Sequence, residues 1–238
     1  MTRTLLIAAA LLTASGCQTI PAQPAPSRAE QVVAAAKAAS GGAAWDAPQG
    51  CVEEGTRGDG AAAYTTRFSL REYGMRVDNR RGGSTQSMGF DGAASWRTDA
   101  AGQTMVDFGE AAVREAVTTA YLSINGFFFP ERFPATFTYV REDRVGDRRY
   151  DVIDMLPARG RVFQVWFDRE THLIGRVVDG VGERAVTVEA SDYRSVDGLT
   201  VAYALRVTGP DGSVLDQGRL TSFHCGAVDS GVFAAPAG

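Results

Sequence analysis

Beyond Pro48 the chain repeats one texture. Short runs alternate apolar and polar residues, punctuated at Asp59-Gly60, Asp91-Gly92, Asp179-Gly180, Asp197-Gly198 and Asp211-Gly212. Asp-Gly supplies the positive φ angles that tight hairpins demand, so this spacing constrains the chain to an antiparallel meander. The alternation predicts strands over 51–57, 62–70, 73–79, 85–90, 94–98 and 103–108, and a second series over 135–142, 148–156, 161–167, 173–178, 184–193, 200–208 and 214–224.

Two helices break this pattern. Ser27-Arg28-Ala29-Glu30 matches a capping box, and the Ala/Val-rich run 31–39 stops at Ser40-Gly41-Gly42. Its Val32, Val33, Ala36 and Ala39 form an apolar stripe suited to lying on a sheet. Between the two strand series, Ala112, Val113, Ala116, Val117, Ala120 and Tyr121 recur at helical spacing within 110–125, closed by Asn125-Gly126. The next segment, Phe127-Phe128-Phe129-Pro130-Glu131-Arg132-Phe133-Pro134, carries prolines that exclude it from a helix interior or a central strand.

Several strands are apolar on both faces. In 162–167, Val162 and Trp166 flank Gln164 on one face, while Phe163, Val165 and Phe167 occupy the other. A sheet wetted on one side alternates cleanly, so the second face needs a cover. The helices and the 127–133 segment are the parts available for it.

Signals for catalysis are sparse. Of the two histidines, His172 falls in a turn where a solvated imidazole is expected, and His224 adjoins Cys225 on a strand. Strand neighbours point to opposite faces, which misplaces that pair as base and nucleophile. The scattered Cys and His residues lack zinc-ligand spacing, so no metal is expected. Gly180-Val181-Gly182 lacks the third glycine and the following helix of a dinucleotide site, and no phosphate-cradling Gly-Lys loop or Gly-x-Ser-x-Gly elbow occurs, so no cofactor is expected. Asp229-Ser230-Gly231 matches the aspartic-protease triplet, but only seven residues follow it, and a C-terminal coil is expected there. The 24 basic and 28 acidic side chains are interspersed, which leaves no electrostatic footprint for nucleic acid. The expectation is a monomer that binds and does not act as an enzyme.

Residues 1–16 carry one charge at Arg3, the apolar run 5–12, and then small residues, the pattern of a secretory signal peptide. That run is about half the length of a membrane-spanning helix. Ala14-Ser15-Gly16-Cys17 resembles the bacterial lipobox, which implies that Cys17 is lipidated and anchors the chain in a membrane; the alternative is an ordinary signal peptide with Cys17 incidental. Residues 17–28, rich in Pro, Ala and Gln, then serve as a tether, and 29–238 form a single β domain. With Gln18 rather than Asp after the cysteine, resemblance to enterobacterial sorting rules implies the outer membrane, with the protein facing the periplasm. Past Cys17 only Cys51 and Cys225 remain, and in an exported chain an even pair reads as a disulfide. It would close a loop worth roughly 5 kcal/mol by chain entropy. Two buried free thiols are the alternative.

Five stretches together resemble a known group: Gly41-Gly42-Ala43-Ala44-Trp45; Gly89-Phe90-Asp91-Gly92 with Trp96; Phe129-Pro130-Glu131-Arg132-Phe133-Pro134; Trp166-Phe167-Asp168-Arg169-Glu170-Thr171-His172-Leu173; and Ser191-Asp192-Tyr193-Arg194-Ser195-Val196-Asp197-Gly198-Leu199. They resemble the LolA/LolB-like outer-membrane lipoprotein-sorting family, a fold that also precedes some retropepsin-like proteases. The resemblance implies a mainly β (α+β) fold: a curved antiparallel sheet or incomplete β-barrel, with helices as a lid over one face and an apolar cavity that holds lipoprotein acyl chains. The leading expectation is an envelope lipoprotein that binds acyl chains or another hydrophobic ligand, with Phe127, Phe128, Phe129, Phe133, Phe137 and Trp166 lining the cavity. Those rings serve equally well as core filling. The competing expectation is a structural or sensory envelope module that binds a protein partner. In the source cell, labelled palmitate is expected on the wild-type protein and not on Cys17→Ser; label on both, or on neither, would dismiss the lipidation.

Overall fold

The computed structural model describes residues 25–58, 60–99, 101–180 and 185–236. The signal segment, Cys17 and most of the tether therefore lie outside the described residues, as do Asp59 and the Val181-Gly182 pair. Ser27 opens the first helix, α1 (Arg28–Ala39), through a complete capping box: its hydroxyl accepts from the Glu30 N–H, and its own N–H donates to the Glu30 carboxylate at 2.6 Å. Ala29, Val32, Val33 and Ala36 are its buried stripe, one turn closer to the N terminus than the sequence pattern placed it.

Among the described residues thirteen strands follow: β1 (Gly50–Arg57), β2 (Ala62–Ser69), β3 (Met75–Arg81), β4 (Ser84–Phe90), β5 (Ser95–Thr98), β6 (Thr104–Asp107), β7 (Ala135–Val145), β8 (Arg148–Pro157), β9 (Phe163–Asp168), β10 (Ile174–Asp179), β11 (Val186–Val196), β12 (Leu199–Thr208) and β13 (Val214–Gly226). They form one curved, unclosed antiparallel sheet in the order β6-β5-β4-β3-β2-β1-β13-β12-β11-β10-β9-β8-β7. The Asp-Gly signals account for the turns they predicted. Between β11 and β12, Asp197 and Gly198 both adopt positive φ, 51° and 81°, and Gly60, Gly92, Gly180 and Gly212 do so in four further hairpins.

The two meanders meet where β1 pairs with β13, and there Cys51 lies directly opposite Cys225, with Cα atoms 4.0 Å apart and the sulfurs at bonding distance. At two points in the sheet bare backbone admits a ring. A Cβ on Gly55 would stand 2.7 Å from the Tyr64 ring across the β1–β2 pair, and one on Gly89 would stand 2.4 Å from Trp96 across β4–β5. Only glycine allows these close cross-strand approaches.

The second helix, α2 (Glu110–Ser123), runs from the β6 edge towards the β7 edge and so crosses one face of the sheet. Val113, Ala116, Val117, Ala120 and Tyr121 are buried beneath it, as their spacing predicts. Asn125 takes a left-handed φ of 49° and turns the chain into a single 3-10 turn, Gly126–Phe128. No helix among the described residues is long and apolar enough to cross a membrane.

Two expectations need correction. The helices and the 127–133 segment cover one face, which holds the main core, but they do not reach the second apolar face of β8–β10. That face is shielded by its own cluster of Tyr150, Val152 and Trp166, with Val178 beside it, and by the guanidinium groups of Arg141 and Arg176 stacked 5.4 and 5.3 Å from the Trp166 ring. Long arginine stems can cover apolar surface while their heads stay hydrated, so no further element is required. The C terminus is also not a bare coil. Asp229 caps a short 3-10 turn, Ser230–Phe233, accepting from the Gly231 N–H, and the buried Phe233 packs on Gly74 while its carbonyl accepts from the Trp96 indole at 2.7 Å.

The Cys51–Cys225 link spans 174 residues. Replacing both cysteines by alanine is expected to lower unfolding free energy by about 3 to 5 kcal/mol in urea melts, and the unfolded wild type should show neither thiol to Ellman's reagent. Two reactive thiols and an unchanged midpoint would contradict the link.

Candidate functional site

Where the lid stops short of the sheet, a cavity of about 300 Å³ remains. Its walls come from β10–β13 and the central strand β1 on one side, and from α1, the end of α2 and the 3-10 turn on the other. Period-two alternation turns Val188 and Ala190 on β11 and Val201 and Leu205 on β12 inward, while on β13 Leu220 and Phe223, three residues apart, both line the wall because the register shifts opposite Glu54 and Gly55. The lid contributes Ala36 and Leu122, with Phe127 and Phe128 closing one end.

The aromatic residues singled out from sequence divide three ways. Phe127 and Phe128 line the cavity, their rings edge to face at 4.8 Å, and Phe127 continues edge to face onto Phe167 at 6.0 Å. Phe129 and Phe133 lie in the core beside it. Phe133 packs on Tyr73 at 5.0 Å, and the cations of Lys37 and Arg132 each stand 5.0 Å from the Phe129 ring. Phe137, on β7, is partly buried against the same core. Trp166 stands on the opposite face of the sheet, because it alternates with Phe163, Val165 and Phe167, all of which face the core.

Polar groups in the cavity wall are few: Ser40, Glu53, Ser123, Asn125, Tyr193 and Thr200. Three of them are committed to the scaffold, Ser123 through its hydroxyl, which donates to the Thr119 carbonyl at 3.0 Å. The Ser40 carbonyl accepts from the Thr200 N–H at 2.8 Å and from the Trp45 indole at 3.0 Å, and the Tyr193 hydroxyl donates to the Ile174 carbonyl at 2.6 Å. Burial drives the Tyr193 phenol upward from its ordinary pKa, so it stays protonated. Among the described residues that line the cavity, Glu53 is the only one with an ionisable acidic or basic side chain of the Asp, Glu, Lys or Arg type. Burial pushes its carboxyl pKa up, against weaker downward pulls from the Thr66 hydroxyl and from Arg57.

The histidines stand apart from this site. His172 sits in the β9–β10 turn at φ 60°, which the Asp168 carboxylate organises by accepting from the Glu170 and Thr171 N–H groups. His224 is 76% exposed, 3.7 Å from Asp197 on the surface. Among the described residues no group of three or more His, Cys, Asp or Glu side chains could hold a metal ion.

This geometry, a curled unclosed sheet with a helical lid over one apolar face, recurs in solved structures. A LolA superfamily protein from Nitrosomonas europaea superposes with a TM-score of 0.56 over 87% of this chain and 97% of its own, at 12% identity. The chain has a LolA-like fold. A domain assigned as an outer membrane lipoprotein-sorting protein from Vibrio parahaemolyticus shares it with a TM-score of 0.54, 11% identity and coverage of 83% and 92%. A DUF1329 family protein from Desulfovibrio piger does so with a TM-score of 0.57, 12% identity and coverage of 88% and 98%. No protein-family model and no curated protein matches the sequence.

Within this LolA-like frame, sequence reading found the aromatic end of the cavity and missed its sheet wall. The missed signal is the alternation in Val186-Thr187-Val188-Glu189-Ala190 and Val201-Ala202-Tyr203-Ala204-Leu205, where one parity is uniformly apolar. Phe127 is 1% exposed at the junction of cavity and core. Phe127→Ala is expected to cost about 3 to 5 kcal/mol in urea unfolding, and Phe137→Ala markedly less, because its ring already contacts solvent.

Proposed function

We propose that this chain is a non-catalytic binding protein of the cell envelope, tethered through a lipid on Cys17, that takes the acyl chain of a lipid or lipoprotein into the cavity between sheet and lid. The observation that carries this reading is the cavity itself: about 300 Å³ walled mainly by Val, Leu, Ala and Phe side chains, at the lower end of the range for small-molecule sites. A flexible alkyl chain suits such a space, since its affinity comes from apolar area and asks for few directed contacts. Descriptions of the similar structures, a LolA superfamily protein and a lipoprotein-sorting domain, support the envelope setting and a part in lipoprotein sorting.

Native mass spectrometry of protein purified from its own envelope is expected to show an adduct of acyl-lipid mass, and the emptied protein should take up a fluorescent fatty acid. Leu205→Trp places a large ring in the sheet wall of the cavity and should abolish uptake with little loss of stability. A ligand-free spectrum together with no uptake would overturn the reading. It would favour the module that docks a protein instead, for which the exposed Met88 and Met105, on one face near the β6 edge, offer a small apolar surface.

A further inference from the structure

One residue in the cavity wall is chemically out of place. Glu53 sits on β1, in the middle of the sheet, directly opposite Thr66 on β2 and Phe223 on β13. Its side chain shares the covered face with Cys51 and Phe68, both buried, and borders the cavity. A leucine or valine would meet the packing demands of this position, so a carboxyl there has a cost that the fold alone does not explain.

That carboxyl has almost no local support as an anion. Arg57, four residues along the same strand, is engaged elsewhere: it pairs with Asp216 at 3.2 Å and stacks 4.9 Å from the Tyr64 ring. Among the described residues Glu53 makes no ion pair, and the Thr66 hydroxyl is its hydrogen-bonding neighbour. Glu53 is half-buried at the cavity wall, and a carboxyl with restricted access to water and no counter-ion is pushed towards its protonated form, which carries one O–H donor. Thr66 faces it across the β1–β2 pair, and the carboxyl otherwise borders the cavity.

We propose that Glu53 is the polar contact of this binding site, a protonated carboxyl that donates a hydrogen bond to the carbonyl oxygen of an uncharged acyl ester or amide seated there. The inference rests on the acyl-binding reading above and deepens it by naming the guest's head. An ester or amide carbonyl accepts without bringing a charge into the cavity. A free fatty acid would place two carboxyls around one proton, and an alkylamine would need Glu53 ionised. Apolar walls supply affinity, and a single directed donor sets which end of the guest lies against β1.

The test is displacement of a fluorescent alkyl probe from the purified protein by four chains of equal length: methyl dodecanoate, dodecanoate, dodecylamine and dodecane. Wild type is expected to prefer the ester over dodecane by about 2- to 10-fold, the span of one net hydrogen bond. Glu53→Gln, which keeps an N–H donor, should preserve that ratio, and Glu53→Leu should bring it to about unity. Urea melts of each variant would register any loss of fold. Equal binding of ester and dodecane by wild type would overturn the assignment of Glu53 alone. Tighter binding of dodecylamine than of the ester, lost in Glu53→Gln, would overturn it in favour of a cationic guest. Displacement by none of the four would instead remove the acyl-binding reading itself. Both wild-type comparisons stand even if Glu53→Leu fails to fold.

Discussion

The pairing of β1 with β13 sets the rest of the architecture. Because the first and last strands lie side by side in the middle, the sheet's two edges are β6 and β7, and the chain must pass from one edge to the other between them. Twelve strand spacings of about 4.8 Å would make a flat sheet roughly 58 Å wide. The crossing segment contains a helix of 14 residues, about 21 Å long, followed by turns that shorten it further. Such a segment reaches both edges only if the sheet curls towards it, so curvature and lid are two aspects of one topological fact.

Curling gives the two faces different problems. The covered face is too large for α1 and α2 to fill, and the shortfall is the cavity against β10–β13. The outer face is convex and cannot be roofed by the same segment, so its apolar strip on β8–β10 relies on arginines lying over Trp166. Further along, Asp78 shows the polar version of this solution. Burial alone would raise its carboxyl pKa, but the Ser87 hydroxyl together with Arg76 and Arg67 overcomes that and holds it below the usual carboxylate range. Stability from this cluster is therefore present above the ordinary carboxylate pKa and lost as pH falls through the depressed value.

Much of this was legible because the decisive signals are local. The Asp-Gly turns, the Ser27 capping box and the α2 stripe act over four to ten residues, and each element stands within a few residues of where those signals placed it. Disposition across the sheet is a different kind of information. Whether Trp166 faces core or solvent depends on which parity of β9 the lid selects, and the Phe127–Phe133 segment gives no indication of which rings pack inward and which border empty space. Phe233 was unreadable for the same reason, since its partners, Gly74 and Trp96, lie more than 130 residues upstream.

The meeting of β1 with β13 also orders events in time. Six strands of the first meander can assemble while the chain is still being made, each beside its predecessor, yet β1 keeps an unpaired flank until the final strand arrives. In that half-sheet the border that ends at the centre of the finished sheet is open, its backbone groups unpaired. Every other pairing in the sheet joins consecutive strands, so this one border of long sequence separation is the point most open to mispairing with another copy. Oxidation at Cys51 can then serve as the last step, locking a seam that forms only when the whole polypeptide is present.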